Sequence, residues 1–230
     1  WSTGGKPLCT ARRSQSSLKF VPSFQDTAFA IWTDTRALYA SGFDLYMQKI
    51  SPEGEAVWNK NGSALTSARG YQTAAQLVPR IDGGFVAAWM DERAGKYNIY
   101  LAGRNPKGKK LRGAVDGAVS PGDFHQRYPR LLNLKHGEIA LAWEDDRLGP
   151  QQTRIHYQQF TPSLQRKYRL EGLVMPTLSR VSGRQSGVQL LAHPQGGVAV
   201  CWLEKYQGSN HLVYARIKDG RVTKPVSLLD

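Results

Sequence analysis

Carboxylates and guanidinium groups recur in this chain at a fixed spacing. Asp34 and Arg36, Asp91 and Arg93, and Asp145 and Arg147 are two residues apart, and each Asp stands two residues after a tryptophan: Trp32, Trp89 and Trp143. A fourth copy at Trp202 keeps a carboxylate, Glu204, and replaces the arginine by Lys205. Two carboxyl groups facing each other across a cleft are the equipment of glycosidic bond cleavage. Asp91, Asp145, Asp146 and Glu204 are the candidates by location. The same residue types also make scaffold. The planar guanidinium fork pairs with a carboxylate, Asp accepts hydrogen bonds from turn N–H groups, and Trp fills the space between layers. Symmetry separates the two readings: a catalytic site fills each role once, whereas a scaffold repeats. Three of the four copies match, so the motif reads as scaffold.

The copies belong to a repeat that covers nearly the whole chain. The tryptophans recur roughly every 55 residues, a period typical of propellers and stacked arrays. Before each lies a Gln and an apolar segment, as in "QLVPRI" before "GGFVAAWMD"; after each come "YNIYLAGRN" and a turn-rich polar piece. This order gives one apolar strand, one central strand buried on both faces, one amphipathic strand and one polar edge strand. Four short strands per repeat predict an all-β fold, a β-propeller of four-stranded blades, as a single domain over 1–230. The blades fall at about 11–66, 67–119, 120–178 and 179–230. Residues 1–10 resemble the outer part of a repeat and add an outer strand, which either closes a four-bladed ring or belongs to a larger one. Because the chain opens in mid-repeat, it is expected to be part of a longer multidomain protein. Lysines and arginines such as Lys107, Lys109, Lys110 and Arg166 are expected at the outer edges, where charge discourages edge pairing.

With 31 Lys plus Arg against 18 Asp plus Glu the net charge is +13, which favours acidic partners. No continuous basic stripe with interleaved aromatics marks a nucleic-acid surface, and no apolar run is long enough to span a bilayer. The two cysteines, Cys9 and Cys201, lie in the first and last repeats, where ring closure would bring them within reach of a disulfide. His125 and His136 lack an evident partner. Metal-ligand spacing, a phosphate loop and a nucleophile elbow are absent from the sequence, so neither metal nor cofactor is expected.

The loops between repeats reach the same face as the Trp-Asp-Arg turns. They bring Arg12, Arg69, Tyr71, His125, Arg127 and Arg184 there as candidate ligand residues: arginines for acidic groups and an aromatic for stacking on a sugar. Gln15, Gln72, Gln126 and Gln185 occupy one repeated position and read equally as hydrogen-bonders between blades.

The pattern W-x-D-x-R … D-I-Y, preceded by Q … P, resembles the repeats of secreted bacterial β-propeller proteins of the sialidase-like and lectin-like superfamily. The resemblance implies an extracellular, cell-surface or periplasmic protein. The Ser-x-Asp-x-Gly-x-Thr-Trp box of sialidases is missing, and "RYPRL" at Arg127 does not match their first arginine motif, so a non-catalytic branch is implied. The expected function is a binding or scaffold propeller that recognises an acidic glycan or a protein partner through one loop face. The alternatives are a glycosidase-like or lyase-like enzyme acting on acidic polysaccharide, and a structural subunit of a surface assembly. A buried carboxylate pair in a cleft favours the enzyme; repeated equivalent pockets favour the binder.

Overall fold

The computed structural model describes residues 5–23, 26–180 and 183–228. Runs rich in β-branched and aromatic residues, punctuated by Gly, Pro and Asn turns, form four successive antiparallel units. The first comprises β1 (Gln15–Pro22), β2 (Ala28–Asp34), β3 (Gly42–Ile50) and β4 (Ser63–Thr66). The second comprises β5 (Gly70–Pro79), β6 (Phe85–Asp91), β7 (Asn98–Arg104) and β8 (Asp116–Ala118). The third comprises β9 (Gln126–Asn133), β10 (Ile139–Asp145), β11 (Arg154–Phe160) and β12 (Leu173–Val174). In the fourth, β13 (Gln185–Ala192) and β14 (Val198–Tyr206) lead to β15 (Ser209–Lys218), which pairs with both β16 (Arg221–Val222) and β17 (Val226–Ser227). A short parallel contact of Gly42 with Gly70 and Phe43 with Tyr71 ties the first unit to the second. Gly84 and Gly197 open the second strands of their units where a Cβ would strike the backbone carbonyl of Arg104 or Ile217.

Adjoining sheets pack apolar face against apolar face. Phe29, Ile31 and Leu45 meet Leu77, Phe85 and Trp89. Val86, Ile99 and Leu101 meet Ile139, Trp143 and Phe160. Ala142, Ile155 and Tyr157 meet Val188, Val200 and Trp202. Each large apolar side chain fully buried this way stabilises the fold by about 1.5–3 kcal/mol. Every residue of β6 and β10 is buried, which explains their nearly unbroken apolar sequence. β14 departs from this pattern: Cys201 is half-buried and Leu203 is 40% exposed, because no further sheet covers that face among the described residues.

The inner strands pack in succession, β1 on β5, β5 on β9 and β9 on β13, but β1 and β13 do not pack on each other in that way. The units therefore form an open array of the propeller type, not a closed four-membered ring. Leu18 and Phe20 at one end are each 57% exposed, and Leu191 at the other is 65% exposed. Of the segment expected to add an outer strand, residues 5–10 are described, and they lie against the first unit. Leu8 and Cys9 pack on Ala30 and Trp32, and the Thr10 N–H donates to Asn61 Oδ1 at 2.7 Å. They cover the first sheet as Leu65 and Val119 cover those that follow. Cys9 and Cys201 are free thiols; they belong to the two ends of the array, which do not meet. Lys107, Lys109 and Lys110 sit in the connection between β7 and β8, before the edge strand. Arg166 turns inward and donates to the carbonyls of Ala118 and Val119 at 3.0 Å, joining the third unit to the second.

Candidate functional site

The repeated motif builds the same knot in each unit. The indole N–H donates to a carboxylate oxygen two residues on: Trp32 to Asp34 at 2.9 Å, Trp89 to Asp91 at 2.8 Å, Trp143 to Asp145 at 3.1 Å and Trp202 to Glu204 at 3.0 Å. In the first three units the arginine closes on that carboxylate with Nε and Nη2, at 2.9 and 2.7 Å for Arg36, 2.8 and 2.6 Å for Arg93, and 2.8 and 2.9 Å for Arg147. Nη2 also reaches back to the segment before the unit: Arg36 to Cys9 Sγ, Arg93 to Thr66 Oγ1 and Arg147 to Ser120 Oγ. Two of the repeated glutamines extend the knots between units. Gln126 accepts from the Ile99 N–H and donates to Asp145, while Gln185 accepts from the Ile155 N–H and donates to Glu204. All four carboxylates are fully buried and saturated with donors, so Asp91, Asp145 and Glu204 are scaffold and face no cleft partner.

Burial works to raise the carboxyls of Asp34 and Asp145, but the hydrogen bonds from Arg and Trp outweigh it and hold both below the usual 3.8. His156, packed on Trp143 with Nδ1 2.8 Å from the Glu171 carbonyl oxygen, is pushed down by burial despite the pull of Asp145. In each case the unfolded chain binds protons more readily, so acid destabilises the fold. The melting temperature is expected to start falling near pH 6 as His156 resists charging. It falls steeply below about pH 4 as the two carboxylates protonate. Equal melting temperatures at pH 3 and pH 7 would contradict this.

Asp44 is the exception among the buried carboxyls. It pairs with Asp34 across β2 and β3, the position that Asn98 holds opposite Asp91. Asn98 uses its amide to hold both the N–H and the carbonyl of Gly122. Asp44 has one bond, from Ser41 at 2.8 Å, and its Oδ1 is buried without a partner. Burial, with the Asp34 charge, pushes its carboxyl up. Asp44→Asn is therefore expected to stabilise the chain by about 1 kcal/mol, read as a higher urea midpoint. An unchanged or lower midpoint would show that the carboxyl is needed.

The six candidate ligand residues do not form one site. Arg12 is exposed at the open end of the array. Arg69 and Tyr71 line a shallow hollow with Tyr39 and Glu92 between the first and second units, where Tyr71 packs on Phe43 at 4.8 Å between ring centroids. His125 accepts from the Tyr97 N–H through Nδ1 at 3.3 Å, and burial followed by the nearby Arg127 pushes it down. Arg127 and Arg184 do converge. With Tyr128, Asp146, Pro150 and Thr153 they line a cleft of about 320 Å³ between the third and fourth units.

One carboxylate, Asp146, lines that cleft, and a second, Glu144, lies buried behind it, paired with the lining residue Arg184. Asp146 is paired with Arg127 and accepts from Thr153 Oγ1 at 2.7 Å. Glu144, buried at the end of β10, accepts from Arg184 at 3.2 Å and from the Gly187 N–H at 2.8 Å. Glu144 leaves the face of β10 opposite Asp145, and Asp146 is the first residue after the strand, its N–H donating to the His125 carbonyl at 2.9 Å. Glu144 breaks the repeat. Its register partner on β9 is Arg127, and the matching partners of Ser16, Thr73 and Ser186 are Thr33, Met90 and Leu203. In the sequence Glu144 merges with the charged stretch Glu144-Asp145-Asp146-Arg147; comparison of the repeats position by position is the signal that exposes it. Among the described residues no group of three or more His, Cys, Asp or Glu is placed to hold a metal ion, and no helix is long and apolar enough to cross a membrane.

No protein-family model and no curated protein matches the chain. Solved structures do. A protein of unknown function from Dyadobacter fermentans superposes with a TM-score of 0.62 at 15% identity, over 94% of this chain and 69% of that one. An α-L-arabinanase from Penicillium chrysogenum gives 0.56 at 12% identity over 93% and 65%. An α-L-arabinofuranosidase from Fusarium graminearum gives 0.54 at 12% identity over 94% and 67%. This chain thus spans about two thirds of the length of each. The expectation of a non-catalytic binding or scaffold propeller is corrected: the similar structures named by activity are glycan-cleaving enzymes. What these likenesses establish for the chain is the β-propeller fold.

Proposed function

We propose that the chain is a glycoside hydrolase of the β-propeller type, cleaving a polysaccharide in the cleft between its third and fourth units. One observation carries the reading: the third unit brings two carboxylates to one cleft, Asp146 on its lining and Glu144 buried behind the lining residue Arg184, each paired with an arginine. Hydrolysis of a glycoside needs a carboxyl that protonates the leaving oxygen. It also needs a carboxylate that takes a proton from the attacking water or bonds to the sugar carbon. Asp146 and Glu144 supply that pair, and Thr153 and the Gly187 N–H fix their orientation. Arg127 and Arg184 are already paired with these acids, so the charges in the cleft balance and an uncharged glycan suits it better than an acidic one. Such a substrate is met outside the cytoplasm, at the cell surface or in the periplasm. The names of the arabinanase and arabinofuranosidase structures make arabinan the first substrate to offer. Reducing-sugar release from arabinan is the expected result. No release from arabinan or from any other neutral plant polysaccharide would overturn the reading.

A further inference from the structure

The inner strands share an irregularity that points to a substrate-contacting residue. Each steps out of register opposite its unit's tryptophan: between Ser16 and Lys19, Thr73 and Gln76, Arg127 and Arg130, and Ser186 and Gln189. The first extra residue of each bulge is left-handed, with φ of 54° at Ser17, 53° at Ala74, 54° at Tyr128 and 67° at Gly187. Bulges of this form take glycine by preference, and a bulky side chain there is strained. Three units place a small residue at the bulge; the third places a tyrosine. The ring returns little to the fold, being 47% exposed, and no hydrogen bond of its hydroxyl is found among the described residues. The strained residue lines the same cleft as Asp146 and as Arg184, the partner of the buried Glu144. The other lining residues are Arg127, Asp146, Thr153 and Arg184, so Tyr128 and Pro150 are its apolar surfaces.

We propose that Tyr128 is the sugar platform of this cleft. Its ring lies against the C–H face of the sugar unit beside the scissile bond and so selects the glycans that bind productively. The backbone strain is kept because this bulge position carries a ring from the inner strand into the cleft lined by Asp146 and Arg184. The proposal rests on the hydrolase reading of the same cleft, but it is tested by binding and not by turnover.

Arabinobiose is titrated calorimetrically into the Glu144→Gln chain, alone and combined with Tyr128→Phe or Tyr128→Gly. Tyr128→Phe keeps the ring and is expected to bind within about twofold of the parent. Tyr128→Gly is expected to bind about tenfold more weakly or worse while melting no lower, because glycine accepts the left-handed backbone without strain. Undiminished binding in Tyr128→Gly overturns the proposal, as does failure of the Glu144→Gln parent to bind arabinobiose. A melting temperature lowered by more than about 4 °C also overturns it, since the ring is then structural. If the binding pattern holds while Glu144→Gln leaves arabinan hydrolysis intact, the hydrolase assignment of the pair fails and the platform stands.

Discussion

Glu144→Gln and Asp146→Asn are each expected to lower kcat on arabinan at least about a thousandfold while the chain stays folded. Both changes keep the side-chain shape. A glutamine at 144 still accepts from the Gly187 N–H, and an asparagine at 146 still accepts from Thr153, so the cleft persists while the proton chemistry is lost. The effect belongs to kcat because the acids act on the reacting bond, whereas KM moves little. The double variant is expected to be no slower than the slower single, since residues that act as a unit are not additive. Initial rates with unchanged circular dichroism are the measurement. Rates within tenfold of the parent for either single variant would place the chemistry elsewhere.

Asp145→Ala is expected to destabilise the fold by about 3–5 kcal/mol, the range for removing one partner of a buried ion pair. Its carboxylate receives the Trp143 indole, two guanidinium donors of Arg147, the Arg147 amide and the Gln126 side chain. All lose their acceptor at once in a region with little access to water. Arg147 then stands over the Phe124 ring, 4.9 Å from its centroid, with its charge uncompensated. The loss corresponds to a melting temperature roughly 10 °C lower and is measured by urea unfolding. A cost under about 1 kcal/mol would mean that the knot is ornamental and that packing alone holds the units together.

The contrast between these two neighbours shows what the sequence makes legible. Asp145 recurs in register with Asp34, Asp91 and Glu204, so its scaffold role follows from repetition alone, and the strand order follows from the apolar runs around it. Gln126 and Gln185 bond from unit to unit at the position they repeat, whereas the Gln72 side chain at the same position bonds, among the described residues, only to the Ala68 and Gly70 carbonyls. Glu144 does not declare itself, because a carboxylate in a strand buried on both faces depends on a donor from another unit, and Arg184 lies 40 residues away. Tyr128 is harder still: its significance lies in a backbone angle that no residue type announces. Arg12, Arg69 and Arg184 look alike as charges on one face, yet only Arg184 finds a buried acid. The openness of the array was also out of reach, since a strand repeat fixes the form of each unit and not the way its ends meet.

The central claim is that the cleft beside Glu144 and Asp146 is where glycan is held for cleavage. The most direct test is a crystal structure of the Glu144→Gln chain soaked with arabinobiose. The account predicts sugar density between Arg127, Tyr128 and Arg184, with the glycosidic oxygen within hydrogen-bond reach of residue 144 or Asp146. Sugar bound instead in the larger cavity between His136, Tyr168 and Lys218, with this cleft empty, would contradict it.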